Sequence, residues 1–253
     1  MKQNFHLFLL SFLTVMICLN PGVQTIASPV VPSDSIRIYD SLVRQYKVAN
    51  NPLALKYSWD ALKLAVKTGS DADLTLAYKM LGIAFFQTQK DSSYFYYDLA
   101  ARKADQAGLE DQKAIILYNM AALHNSSNFY TRAITLLDSS IRLAQLHRDY
   151  RGISNANNLL GLIKINIHDI EGARTHFNTA LNLAREHKLY EQMGVALSNL
   201  SRSIFEPDPV KSLAFQREAL GYLQKVSGTE EEMATILINI GNRFTNPDSA
   251  LFY

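Results

Sequence analysis

Six small residues recur along this chain at nearly equal intervals: Ala54, Ser93, Ala133, Ala173, Ser212 and Ala250, separated by 39, 40, 40, 39 and 38 residues. In five copies a second small residue follows seven positions later, at Ala61, Ala100, Ser140, Ala180 and Ala219. Seven residues are two helical turns, so each pair lies on one helix face, where small side chains let a second helix approach closely. A spacing this regular over five intervals predicts tandem repeats. Such units stack in a row and bury a continuous core between neighbours. A second signature recurs ahead of four of these helices and after the fifth: Leu81-Gly82, Met120-Ala121, Leu160-Gly161, Leu200-Ser201 and Ile240-Gly241. The first copy has Leu42-Val43 instead, which suits a terminal repeat with no neighbour on one side.

The clearest copy is 154–190, which reads as two helices joined by a tight turn at 167–170. Its second helix carries Ala173 and Ala180, with Phe177 between them on the same face. Helix boundaries elsewhere agree with this length. Asn51-Pro52, Asp208-Pro209 and Asn246-Pro247 place a capping residue before a proline suited to the first helical position. Asp91 is expected to cap its helix, Ser33, Asp34 or Ser35 to cap a first helix over 36–49, and Ser70/Asp73 and Thr229/Glu232 to form capping boxes. Gly69 and Gly108 fit helix C-termini. No strand-like alternation persists over six residues.

The N-terminus has the layout of a secretory signal peptide: Lys2, an apolar run over 7–19, the helix-breaking Asn20-Pro21-Gly22, and small residues leading to a cut after Ala27. A permanent span needs about 20 apolar residues, so this run is short for one. Residues 28–34 form a linker. The single cysteine, Cys18, lies inside the apolar run behind Ile17, a poor setting for lipidation, and the mature chain has none, which excludes disulfides and thiol catalysis. Lys and Arg number 25 against 23 Asp and Glu, so no basic footprint for nucleic acid exists.

Catalytic and metal motifs are missing: there is no HExxH, GxSxG, P-loop or GxGxxG. His147 and His187, one period apart, read as polar helix ends, and His168 and His176 have no matching ligand cluster. Neither catalytic residues, a metal nor a cofactor is expected. Tyr97 occupies the slot of Phe177 and belongs to the core; for its neighbours Tyr94, Phe95 and Tyr96 packing against the adjacent repeat is expected ahead of the alternative, an exposed aromatic patch.

Leu160-Gly161 with Ala173, Phe177 and Ala180 resembles the L-G…A-x3-F-x2-A pattern of tetratricopeptide repeats. The period exceeds the usual 34 and approaches that of HEAT and armadillo repeats, but the small-residue signature favours the tetratricopeptide type with longer helices. Copies of 39–40 residues resemble those of exported bacterial sensor and regulator input regions. The resemblance covers 36–253 and implies an all-α, right-handed α-solenoid of antiparallel helix pairs over 35–253, with five complete pairs and a truncated sixth.

It further implies that the first helix of each pair lines a concave groove. Carried over, the groove positions are Lys79, Ile83, Phe86, Tyr118, Ala122, Asn125, Asn158, Leu162, Ile165, Ser198, Arg202 and Phe205. Lys79, Phe86, Tyr118, Asn125, Asn158, Arg202 and Phe205 are the candidate contacts for a protein or peptide. The carboxylate clamp of chaperone-binding relatives is rejected, because Ile83, Asn155 and Leu159 stand where it needs other residues. Asn119, Asn199 and Asn239 recur at one repeat position and read as structural.

The implied function is a non-enzymatic protein- or peptide-binding scaffold, exported to the periplasm or cell envelope, as the extracytoplasmic input region of a bacterial signalling protein. An envelope assembly scaffold, or the solenoid part of a cell-wall enzyme whose catalytic domain lies elsewhere, stay open as alternatives. The sixth first helix, 230–244, is expected to keep Ile236, Leu237 and Ile240 uncovered, and the natural chain to continue past Tyr253.

Overall fold

The computed structural model describes residues 32–48, 51–203 and 208–244, with side chains as far as residue 240. The signal segment 1–27, most of the linker, Phe205, Asn246-Pro247 and Ala250 lie outside the described residues. Those described form eleven α-helices and no strand: α1 Asp34–Tyr46, α2 Asn51–Thr68, α3 Asp71–Phe85, α4 Lys90–Ala107, α5 Glu110–Ser126, α6 Tyr130–Leu146, α7 Tyr150–Asn166, α8 Ile170–Glu186, α9 Tyr190–Ser203, α10 Pro209–Leu223 and α11 Glu230–Phe244. Among the described residues no helix is long and apolar enough to cross a membrane.

Each helix packs on its chain neighbours, most extensively within the pairs α3/α4, α5/α6, α7/α8 and α9/α10. The odd-numbered helices also touch one another directly, α1 on α3, α3 on α5, α5 on α7 and α7 on α9. This is an all-α solenoid with the odd helices as its inner layer.

The small-residue register explains the pairing. Ala54, Ala61, Ser93, Ala100, Ala133, Ser140, Ala173, Ala180, Ser212 and Ala219 are all buried. Between each pair of small residues stands one knob: Ser58, Tyr97, Leu137, Phe177 and Gln216, also buried. Knob and partner are matched in size. A side chain at Gly82 would strike the Tyr97 ring, and one at Gly161 the Phe177 ring, whereas the smaller Leu137 shares a cluster with Ala121. Where serine replaces alanine, its buried hydroxyl bonds across the interface: Ser93 Oγ donates to the Gly82 carbonyl (2.7 Å), Ser212 Oγ to that of Ser201 (2.8 Å). Each serine is thereby accommodated without leaving an unpaired hydroxyl.

The turns follow a shorter rule. Residues with positive φ are Gly69, Gly108, Asn128, Arg148, His168, Lys188 and Gly228; the run from 108 to 188 repeats every 20 residues. From α4 to α9, turns within a pair and between pairs therefore share one form, whereas the α3/α4 turn has no left-handed residue. After the left-handed residue the chain bonds back into the helix just finished, as Asp149 N–H does to the Ala144 carbonyl (2.8 Å) and Leu189 N–H to that of Ala184 (2.9 Å). Asp149 and Asp169 then cap the next helix, as Asp208 caps α10, each accepting from a backbone N–H at 2.9 Å. Left-handed backbone costs a non-glycine residue about 1–2 kcal/mol. Arg148→Gly should consequently raise stability by up to about 1 kcal/mol, part of the gain being offset by unfolded-state entropy. Urea unfolding checks it, with Gly108→Ala moving the other way.

Several boundary expectations need correction. The first helix starts at Asp34 and ends at Tyr46, and its N-cap Ser33 makes no side-chain cap bond. Asp91 sits inside the first turn of α4, whose N-cap is Gln89. Ser70 does accept from Asp73 N–H, but the Asp73 carboxylate turns to Ser33 N–H (2.7 Å) and Thr68 Oγ1 (3.0 Å). Thr229 does not close a capping box either: its hydroxyl donates backward to the Leu223 carbonyl (2.9 Å). On α11, Ile236 is buried in the cluster formed with Leu197 and Leu223, and Ile240 packs against it; Leu237 and Ile238 are the exposed pair.

Candidate functional site

The inner helices enclose a cavity of about 420 Å3. Its more open part is lined by Arg44 and Lys47 at the end of α1, Ile83 and Phe86 from the end of α3, Tyr118 and Asn119 on α5, Arg151 and Asn155 on α7, and Glu231 on α11. Its buried lining is Tyr97, Ala114, Ser140 and Ala144, contributed by α4, α5 and α6. The volume lies at the small end of the range of ~300–1,000 Å3 typical of ligand pockets. The mixture of aromatic, aliphatic and a few polar groups is also typical of such pockets.

Beside the cavity the inner helices are tied by polar rungs. Arg151 faces Glu191 at 3.7 Å, Gln192 Nε2 donates to Asn155 Oδ1 (3.4 Å), Asn199 Nδ2 to Asn158 Oδ1 (3.3 Å), and Asn166 Nδ2 to Asn125 Oδ1 (3.1 Å). At the N-terminal end Lys79, only 1% exposed, pairs with Asp40 of α1 at 3.2 Å; Asp40 also accepts from Arg44 Nε (2.9 Å). Burial holds the Lys79 ammonium below the usual lysine range, and Asp40 works against that.

Of the groove positions expected from the repeat register, Phe86, Tyr118 and Ile83 line the cavity. Lys79 is withdrawn into its ion pair and Asn158 into its bond with Asn199. Asn125 is half-buried and shared with Asn166, Arg202 is exposed away from the cavity lining, and Phe205 lies outside the described residues. Asn119, read from the sequence as structural, is a lining residue. Arg44 and Lys47 went unnoticed because α1 lacks the repeat signature. Arg151 and Asn155 lie one to two turns ahead of the expected α7 positions.

Away from the cavity, Tyr96 stacks on Phe85 (5.7 Å, 8°) and meets Trp59 edge-on (5.9 Å), while Tyr94 and Phe95 are exposed. His187 stacks on Tyr150 (3.6 Å), and His147 Nε2 lies 3.1 Å from Glu110.

Burial raises the phenol pKa of both Tyr97 and Tyr118. A group whose pKa is raised by folding stabilises the native state below its unfolded value, and that stability is lost as pH climbs through the folded value. The native state should thus weaken progressively above about pH 10, the ordinary tyrosine value. Tyr97→Phe should flatten that alkaline loss, as read by melting temperature between pH 8 and 11.

The fold and its inner-face cavity define a helical-repeat protein. The solved structure of BtubC (BKLC) from P. vanneervenii is similar to it, with a TM-score of 0.58 over 86% of this chain and 85% of that one. At 14% identity this likeness concerns the fold alone. No family model matches the chain, and no curated protein does.

Proposed function

We propose that this chain is a tetratricopeptide-type, non-enzymatic scaffold that binds a protein or peptide on its inner face, as the extracytoplasmic input region of a bacterial signalling protein. The observation that supports binding is the cavity on the inner layer, where Phe86, Tyr118 and Ile83 from successive inner helices stand beside hydrogen-bonding groups such as Asn119 and Asn155. Apolar anchors interspersed with amides suit an extended or helical peptide. Balanced charge argues against nucleic acid as the ligand. Export rests on the signal-type segment 1–27, and the signalling role on the resemblance of the long repeats to exported sensor input regions.

The test is direct. The purified protein is titrated with a positional-scanning library of fluorescent, N-acetylated, amidated hexapeptides, followed by polarisation. Saturable binding is expected, weakened at least about tenfold by Phe86→Ala, which corresponds to a lost contact of about 1.4 kcal/mol. Absence of saturable binding, or indifference to that substitution, would contradict the reading. For export, an alkaline phosphatase fused after residue 27 should be active, and an inactive fusion would count against it.

A further inference from the structure

Among the described residues, Tyr97 is the only buried lining residue of the cavity whose side-chain polar group is uncommitted. Ser140, the other buried polar lining residue, donates its hydroxyl hydrogen to the Ala114 carbonyl at 2.7 Å. Ala114 and Ala144 have no polar side-chain atoms. Tyr97 is 1% exposed, and its hydroxyl has no hydrogen-bond partner among the described residues. Its ring cannot swing toward another partner, because it lies directly over Gly82, where even a single added carbon would collide with it. Of the charged lining groups, Arg44, Lys47, Arg151 and Glu231 are exposed, and the half-buried Asp149 carboxylate is taken up by the Gly152 N–H at 2.9 Å. The buried lining therefore carries no charged group, and has small walls and one fixed donor.

From this geometry we infer that the slot takes the anchor side chain of the bound peptide, an uncharged residue whose tip accepts a hydrogen bond from the Tyr97 hydroxyl. Glutamine, asparagine and tyrosine have the required acceptor. Aspartate and glutamate do not suit the slot, since a carboxylate there would lose its hydration with no cation in the buried lining to replace it. The raised phenol pKa of Tyr97 has the same cause, burial that penalises charge. Leucine or phenylalanine would fill the space but leave the hydroxyl unpaired, and a site built around a buried donor discriminates against such analogues.

This inference rests on the peptide-binding reading above, and the experiment separates the two. The hexapeptide library is bound to the parent and to Tyr97→Phe, which removes one oxygen and keeps the ring under Gly82. The parent should favour glutamine, asparagine or tyrosine over leucine and phenylalanine at one position by at least about tenfold, a difference of about 1.4 kcal/mol. In Tyr97→Phe that preference should vanish, with affinity for the leucine and phenylalanine peptides no lower than the parent's, because no hydroxyl is then left unpaired. The unliganded variant should melt no lower than the parent. A preference that survives in Tyr97→Phe, a preference for aspartate or glutamate, or a lower melting temperature would each overturn the inference and leave peptide binding standing. A library that binds the parent nowhere overturns both.

Discussion

Gly161→Leu should cost about 3 kcal/mol or more, well into the range of severe overpacking. The reason lies in one contact. Any β-carbon at 161 falls inside the van der Waals envelope of the Phe177 ring, and Phe177 is fully buried in the cluster that joins α8 to α9 and α10. The ring has no free space to retreat into, so α7 and α8 must part or Phe177 must leave its rotamer. Even Gly161→Ala should be severe. The structure also supplies the rescue. Ala121 and Leu137 occupy the corresponding positions one repeat earlier and pack together in one cluster. The double variant Gly161→Ala/Phe177→Leu should recover most of the loss, an interaction energy of the kind contacting residues show. Asn182→Ala, on the exposed side of α8, should stay within about 0.5 kcal/mol of the parent. Urea unfolding of the four variants decides the matter; equal midpoints for Gly161→Leu and the parent would show that the helices do not pair through this contact.

Asp40→Ala is expected to rank second. Lys79 is fully buried, and Asp40 is the carboxylate it pairs with, so truncation strands an ammonium between α1 and α3. Breaking a buried pair from one side costs about 3–5 kcal/mol; the partial exposure of Asp40 and its second partner Arg44 place the expected value near the lower figure, about 3 kcal/mol. Replacing the cation instead should be far milder: Lys79→Met, or Lys79→Met with Asp40→Ala, should lie near the parent or above it. The pH dependence follows from the lowered Lys79 pKa. The native state releases this proton before the unfolded chain does, so the unfolded chain binds more protons in the window below the ordinary lysine value. Stability attributable to this group therefore rises with pH there, and the deficit of Asp40→Ala relative to the parent should shrink toward pH 10. A deficit that is constant from pH 7 to 10 would mean Lys79 does not carry the cost.

The helix pairs were legible because close helix approach requires small residues, and the 39–40-residue recurrence of alanine and serine records that requirement directly. The turns were less legible. Their left-handed residue repeats every 20 positions from 108 to 188, but at 128, 148, 168 and 188 it is Asn, Arg, His and Lys, a set with no common chemistry. The i+5 backbone bonds follow all four of these residues, and aspartate caps follow only at Asp149 and Asp169; a backbone bond is not visible in side-chain identity. The groove was legible in part. Register alone placed Phe86 and Tyr118 on the inner layer, where they line the cavity. It could not show that Lys79 is neutralised by Asp40, because α1 carries the weakest copy of the repeat. Nor could it separate Asn158, buried with its Oδ1 bonded to Asn199, from Asn119, which stands at the lining. Tyr97 shows a further limit. Its slot marks it as core, and its ring is core, yet its hydroxyl belongs to the cavity; a repeat pattern assigns residues, not atoms.

The central claim is that the inner layer of the solenoid receives a peptide. Methyl NMR of the protein with the best-binding hexapeptide from the library tests it most directly. The account predicts shifts at Ile83 and Ile115, which line the cavity, with Val66 and Leu146, exposed outside the cavity lining, unmoved. Shifts at Val66 and Leu146 with Ile83 and Ile115 unchanged would contradict it.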